Sequence, residues 1–544
     1  MQHSDFLPAS RPILVDLASC DRWLERERFT DSDRACAAFI ELLDQLEDAP
    51  PSAQICTRIM ERLRTPMQVA LEEQSRRYSG KPLPLALAEA AAFERGCDLW
   101  LAQVRAWRRL LRAAWNKPDR APDRPRLALR TLESIAGLLT ACFAARLQIA
   151  PKYWRWLNQA YEFAEKEGLV EQEVSGEQSG GGLTCNVIYT RLLLLQLANP
   201  AALSQREFEW TKRWANRWTR KVRLWRPAAN GGGLAVDLAS ETGAQCIAAG
   251  TPSDALLFLD CAGLRRSMRS RLEKLGAGSS PEELGLGRDC PPFAGRQLLS
   301  ALLHCWSDAP KSRQFPRRST TGNTELVVGF AGIHQTIAGD AFDDDTSPWS
   351  YTRQQVEQIH LFHRIATALS SQKPESRIER WETLDESANG FRLRRGVEGV
   401  RLAHRQLVAL RPRGASQFIL CDIRWLLQSG HESGEDKPGG ENTGGEASIG
   451  IGAKAMPGLP QACALRSVAG TPTNGGAWTQ AFVLPLPSAL APNLVVPIGW
   501  YQPGRELDLK LQNEQFRVRL DELLERGHDY QRVSFSAIGM GAGV

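Results

Sequence analysis

Long apolar runs are missing from this sequence. No stretch of about 18 or more apolar residues occurs, so no segment is expected to span a membrane. The N-terminus, MQHSDFLPASRPILVDLASC, carries early charges and no sustained apolar core, so it does not read as a signal peptide. A cytoplasmic location is therefore expected. No Cys-x-x-Cys pair occurs among the twelve cysteines, and the eight histidines show no ligand spacing beside a cysteine. That argues against a disulfide framework and a structural zinc, and for reduced, mostly buried thiols. A Walker-type phosphate loop and a Gly-x-Ser-x-Gly elbow are also absent, and no Cys-His-Asp order stands out. No enzyme is expected from this, nor a cofactor. Charge of one sign is not in large excess either: 67 Lys and Arg against 62 Asp and Glu leave a net +5. A histone-like coat for nucleic acid is excluded, although a local basic patch can still meet an anion.

At 544 residues the chain is too long for a single core, and two to four domains are expected. Up to residue 225 it reads as helical. Stretches such as ALAEAAAFERGCDLWLAQVRAWRRLLRAAW (86–115) are rich in Ala, Leu, Arg and Glu, with apolar residues at helical spacing. DAPPSA (48–53), NKPDRAPDRPR (116–126) and SGEQSGGG (175–182) break the region into hairpins. Ser204 with Glu207 offers a capping box to a helix whose Trp210, Trp214 and Trp218 form a core-facing stripe. Arg213, Arg217 and Arg220 are then left to its solvated face. The texture changes at RPAANGGG (226–233), and 226–340 reads as α+β. Residues 341–375 read as a linker and helix, and 376–544 as short strands forming one small closed antiparallel barrel, followed by a helix at RVRLDELLERG (517–527) and a last strand. The Gly-rich QSGHESGEDKPGGENTGG (428–445) reads as a hairpin insertion. The fold class is thus multidomain α+β with a C-terminal barrel.

One tight bend carries chemistry. In WETLDESANGFRL (381–393) an apolar-alternating run breaks at Asp385, Ser387 and Gly390 and resumes at once. A turn rich in Asp, Asn, Ser and Gly is an ordinary way to reverse a strand. The spacing, however, is Asp-x-Ser-x-x-Gly, and it is followed by GFRL, then FILCDIRWL (418–426) and SIGIGAKAM (448–456). In that order the segment resembles the PilZ domain family over about a quarter of the chain. The resemblance implies a six-stranded barrel that binds the second messenger cyclic di-GMP without chemistry. Asp385 would accept from the guanine N1 and N2 donors, Ser387 would donate to a phosphate or base oxygen, and Gly390 would permit a close backbone approach. Family members also carry Arg-x-x-x-Arg about twenty residues upstream, whose guanidiniums stack on guanine and read its O6 and N7.

No such pair lies at that distance from Asp385. The candidates there are Arg364 with His360, and Arg377 with Arg380, with Arg353 further back; Arg392, Arg394 and Arg395 beside the motif are possible substitutes. A second Asp-Ser-Gly series, Asp237, Ser240 and Gly243, is misspaced and suggests a degenerate barrel in the middle region. The expected function is a cytoplasmic cyclic di-GMP receptor acting through domain contacts or on an unidentified protein partner of a motility, adhesion or envelope system. The alternative is a scaffold whose barrel has lost its ligand.

Overall fold

The computed structural model describes residues 14–27, 29–116, 123–174, 182–226, 231–251, 255–307, 316–339, 378–430, 446–468, 477–485, 492–512 and 514–540. They fall into two compact units. One is built from the described residues of 14–81 and 85–307, the other from those of 82–84, 316–429 and 446–540.

The first unit is helical for most of its length: α1 (Leu17–Arg26), α2 (Ser32–Asp48), α3 (Ala53–Tyr78), α4 (Leu87–Asn116), α5 (Arg124–Ala145), α6 (Pro151–Lys166), α7 (Cys185–Leu197) and α8 (Gln205–Trp218). Helix α5 is long and apolar enough to cross a membrane by length and composition alone, but 78% of its most apolar window is buried among its neighbours. The capping box at Ser204 and Glu207 starts α8, and Trp210, Trp214 and Trp218 are all buried, with Trp214 and Trp218 stacked. All twelve cysteines are free thiols, ten of them buried.

The unit closes with β1 (Arg223–Trp225), β2 (Gly233–Asp237), β3 (Gln245–Ile247) and β4 (Leu256–Asp260), then α9 (Ala262–Gly276) and α10 (Pro292–Cys305). The four strands form one sheet in the order β1-β4-β2-β3. Its terminal strands β1 and β3 do not pair with each other, so the expected degenerate barrel is an open sheet. Asp237 and Ser240 there make a local turn, the Ser240 hydroxyl donating to the Asp237 carbonyl at 2.7 Å.

The second unit departs from the expected single barrel, because it holds two. The first is closed in the order β10-β7-β6-β5-β8-β9, from β5 (Arg318–Val328), β6 (Glu379–Ser387), β7 (Gly390–Gly396), β8 (Leu407–Arg411), β9 (Ile419–Ser429) and β10 (Ser448–Ala455). Its first strand belongs to the region assigned by sequence to the middle domain. After β5 the chain turns into the helix α11 (Phe330–Ala338). The expected helix at 353–369, with Arg364, and Arg377 lie outside the described residues. The second barrel is closed as β11-β12-β13-β16-β15-β14, from β11 (Gln461–Ser467), β12 (Thr479–Leu484), β13 (Asn493–Pro497), β14 (Glu506–Leu511), β15 (Glu514–Arg526) and β16 (Tyr530–Met540).

Strand β15 replaces the expected helix. Leu520, Leu523 and Leu524 carry helical spacing, but Phe516, Val518 and Leu520 also alternate, and β14 and β16 pair with the segment from both sides. Barrel closure therefore decides between two periods that the sequence leaves balanced.

The barrels share a wall. Strand β8 is buried on both faces: Leu407 and Ala409 join Val327, Leu420, Phe482, Leu484, Val495, Tyr530 and Ile333 of α11 in one cluster. Beside it runs an ion network. Arg405 and Arg424 of the first barrel both reach Asp422, at 2.6 and 2.9 Å, and both reach Glu525 of the second barrel. Burial pushes the Asp422 carboxyl up despite the two arginines. Burial also pushes on Glu525, but Arg424 and Arg405 outweigh it and hold that carboxyl below its ordinary value of 4.5.

Removing Glu525 leaves two half-buried guanidiniums short of a partner. Glu525→Gln is expected to destabilise the barrel unit by about 3 kcal/mol in urea unfolding at neutral pH. A carboxyl held low contributes its stability in full above the ordinary 4.5 and loses it as pH falls through the folded value. The gap between wild type and variant should therefore narrow as pH falls below 4.5 and close only once pH is under the folded value.

Candidate functional site

Strand β6 begins with strict alternation: Glu379, Trp381 and Thr383 are buried, while Arg380 and Glu382 are exposed. Continued, this would send Asp385 into the barrel. The register prevents it. Thr383 pairs with Leu393 and Asp385 with Arg392, so two residues of β6 face one step of β7, and the extra residue is Leu384. This bulge reverses the alternation and places Asp385 outside, opposite the exposed Arg392. The other flank bulges as well: Ser319 pairs with Asp385 but Gly322 with Thr383, giving β5 one extra residue.

The result is a row of side chains across five strands. Trp425 of β9 pairs with Gly452 of β10, Gly452 with Arg392, Arg392 with Asp385, and Asp385 with Ser319. Arg317, two residues before Ser319, donates from Nη1 to Asp385 Oδ1 at 2.5 Å. Arg392 Nη1 lies 3.9 Å from the other carboxylate oxygen. Asp385 is the more enclosed partner, its side chain 17% exposed against 51% for Arg392.

Two glycines shape this surface by the space they leave. A Cβ on Gly452 would stand 1.9 Å from Trp425 Nε1, and one on Gly450 would stand 3.4 Å from the same ring. The indole therefore lies directly on the β10 backbone. Gly390 is needed for the same kind of reason: its Cβ would meet the Ala453 carbonyl oxygen at 2.5 Å. Its φ is not positive, nor is that of Ala388 or Asn389, so close approach rather than backbone conformation requires glycine here. The bend is a two-residue hairpin, Ser387 pairing with Gly390, and the Ser387 hydroxyl donates to the Gly390 carbonyl at 3.3 Å.

The structure thus brings Asp385, Ser387, Gly390 and Arg392 together at one corner of the first barrel. Arg380 is not among them. It pairs with Glu325 near the other end of β6, about 16 Å along the strand from Asp385. Arg394 is held by Glu382 at 2.8 Å, and Arg395 by the buried Glu379 at 3.3 Å while stacking on Trp381, so neither is free to substitute. Arg364 and Arg377 lie outside the described residues.

The arginine that sequence reasoning missed is Arg317. It closes the series Arg313-Gln314-Phe315-Pro316-Arg317, an Arg-x-x-x-Arg just before the first strand of the barrel. The pair is 68 residues upstream of Asp385 by its second member, because the chain passes through α11 and residues 340–377 between β5 and β6. The missing pair is therefore present, at a sequence distance where it was not sought. The available signal was the spacing itself, read together with the strand-like TELVV that follows.

Comparison with known families adds independent findings. Residues 18–228 match the N-terminal domain of the cyclic-di-GMP receptor FimW. Residues 463–538 match the FimW C-terminal β-barrel domain, which is the second barrel described above. No curated protein matches the chain. The first barrel, with its PilZ-like corner, lies between the two matched segments. With its N-terminal helical domain and its C-terminal barrel both matched, the chain belongs to the FimW family of cyclic-di-GMP receptors.

Proposed function

We propose that the chain binds cyclic di-GMP on the outer corner of its first barrel and signals by a ligand-dependent change in domain or partner contacts. The observation that carries this is the convergence of Arg317, Asp385, Ser387 and Arg392 on one face, with Arg313 four residues before Arg317. The groups match the ligand's needs. A guanine offers N1 and N2 donors to a carboxylate, and O6 and N7 acceptors to a guanidinium in two parallel bonds. The two phosphates suit the remaining arginines. The indole of Trp425, laid flat on Gly450 and Gly452, offers a face on which a base can stack.

Arg317 is paired with Asp385, and their side chains are 31% and 17% exposed. A partly exposed pair of this kind contributes only about 1 kcal/mol, so a ligand that replaces both partners displaces it at little cost. The displacement couples binding to movement, because Arg317 sits on the segment that enters β5. A ligand that engages Arg313 and Arg317 draws that segment toward the corner and shifts the population of its positions. The family's description as receptors and the free thiols support a cytoplasmic signalling protein rather than an enzyme. A motility or adhesion system is the expected setting for its partner.

A second reading is a ligand-free scaffold, favoured by the same Arg317–Asp385 pair, which neutralises the corner from within. Titration calorimetry of the full chain separates the two. Saturable binding of cyclic di-GMP is expected, weakened at least about tenfold by Arg313→Ala, Arg317→Ala or Asp385→Ala, with Arg380→Ala unchanged. A folded wild-type protein that shows no heat at high micromolar concentration supports the scaffold and overturns the receptor site. The stacking role of Trp425 has its own outcome: Trp425→Ala should lower affinity about 10- to 100-fold while leaving the melting curve of the barrel nearly unchanged, since the ring lies outside the core.

A further inference from the structure

The helical unit holds a cavity of about 530 Å³ between α3, α4, α5, α7 and α8. That is within the range of about 300–1,000 Å³ typical of small-molecule pockets. It is far from apolar: cations and carboxylates line it together with Trp100, Trp107, Tyr78 and Phe208.

Most of its cations are satisfied. Arg130 is held by Glu61 at 2.7 Å and by Glu133 at 2.6 Å, Lys212 by Glu209 at 2.7 Å, and Arg213 by Asp289 at 2.8 Å. Arg191 differs. It is the one charged residue of α7, CNVIYTRLLLLQL, and its hydrogen bond runs to a neutral amide, from Nη1 to Asn216 Oδ1 at 3.3 Å. Among the described residues no carboxylate lies within 4.0 Å of it. Burial lowers its pKa, with Glu133 acting weakly the other way. Arg191 is only half-buried, and its guanidinium lines the cavity with a neutral amide as its partner, so a donor fork is left for an anion to fill.

The second feature is aromatic. A Cβ on Gly137 of α5 would fall 2.4 Å from Trp100 Cη2, so the indole is laid against the helix backbone, and it lines the same cavity as Arg191. Glycine at 137 is what admits the ring there. A planar wall and a guanidinium without a carboxylate in contact, both lining one cavity, suit a ligand that is both flat and anionic. Guanidinium groups favour phosphate by their fork of donors, and indoles favour bases by stacking.

We infer that this cavity is a second ligand site, separate from the barrel corner, and takes a phosphate-bearing aromatic compound of mononucleotide size, with Arg191 on the phosphate and Trp100 on the ring. The inference does not depend on the barrel reading, since every residue lining the cavity lies between 64 and 216.

The test uses the full chain carrying Arg317→Ala and Asp385→Ala, so that the barrel corner is silent, and GMP as the probe. Saturable binding is expected, weakened at least about tenfold by Arg191→Gln, and inorganic phosphate alone should bind more weakly than GMP. Cyclic di-GMP as a competitor shows whether the dinucleotide also enters. Far-UV circular dichroism checks folding. Should Arg191→Gln fail to fold, Trp100→Leu should still weaken GMP binding severalfold, because the stacking face is lost. Absence of saturable GMP binding up to millimolar concentration by folded protein overturns the inference, as does binding that Arg191→Gln, or Trp100→Leu in its place, leaves unchanged.

Discussion

Leu384 has no partner of its own on β7, and the added residue between Thr383 and Asp385 reverses which side of the strand faces outward. Without it, Asp385 would follow Trp381 and Thr383 into a closed core, where a carboxylate is costly and useless to a ligand. With it, the carboxylate stands in line with Arg392 and Ser319 and within reach of Arg317. The bulge on β5 between Ser319 and Gly322 lets that strand follow the same bend. Two small irregularities in an otherwise regular ladder therefore set the whole chemistry of the corner. Bulges beside functional sites commonly have this effect.

The rest of the barrel unit supports that corner by rigidity. Gly390 lets β7 lie close against Ala453, and Gly452 lets Trp425 lie on β10. Behind them the shared wall of β8 and the network of Arg405, Asp422, Arg424 and Glu525 tie the first barrel to the second. A signal that moves the segment before β5 thus acts against a stiff support. The second barrel, which carries the family match, is held to the first by a packed face and charged contacts rather than by a linker alone.

Much of this was legible in the sequence. The strands around DESANG, the tight hairpin, the capping box of α8 and the buried Trp stripe all follow from alternation, turn residues and helical spacing. What was not legible has physical causes. Register is a property of two strands together, so the outward turn of Asp385 cannot be read from β6 alone. Arg317 is distant in sequence from Asp385, and only the closing of β5 against β6 brings them together. The segment 514–526 carries both periods at once, and its neighbours decide in favour of strand. The division into two barrels was hidden because short strands follow one another at similar spacing across 376–544, with no change of texture between them. Arg191 gave no signal beyond being a lone charge in an apolar helix, and its significance rests on where that helix packs.

On the proposed mode of binding, ligand engages the face made by the start of β5, the β6–β7 hairpin and β10. Hydrogen–deuterium exchange of the full chain with and without cyclic di-GMP tests it most directly. Slower exchange on binding is expected in peptides covering 313–319, 385–392 and 450–454, with the strands of the second barrel largely unchanged. Protection confined to the helical unit or to the second barrel, with none at these three segments, would contradict it.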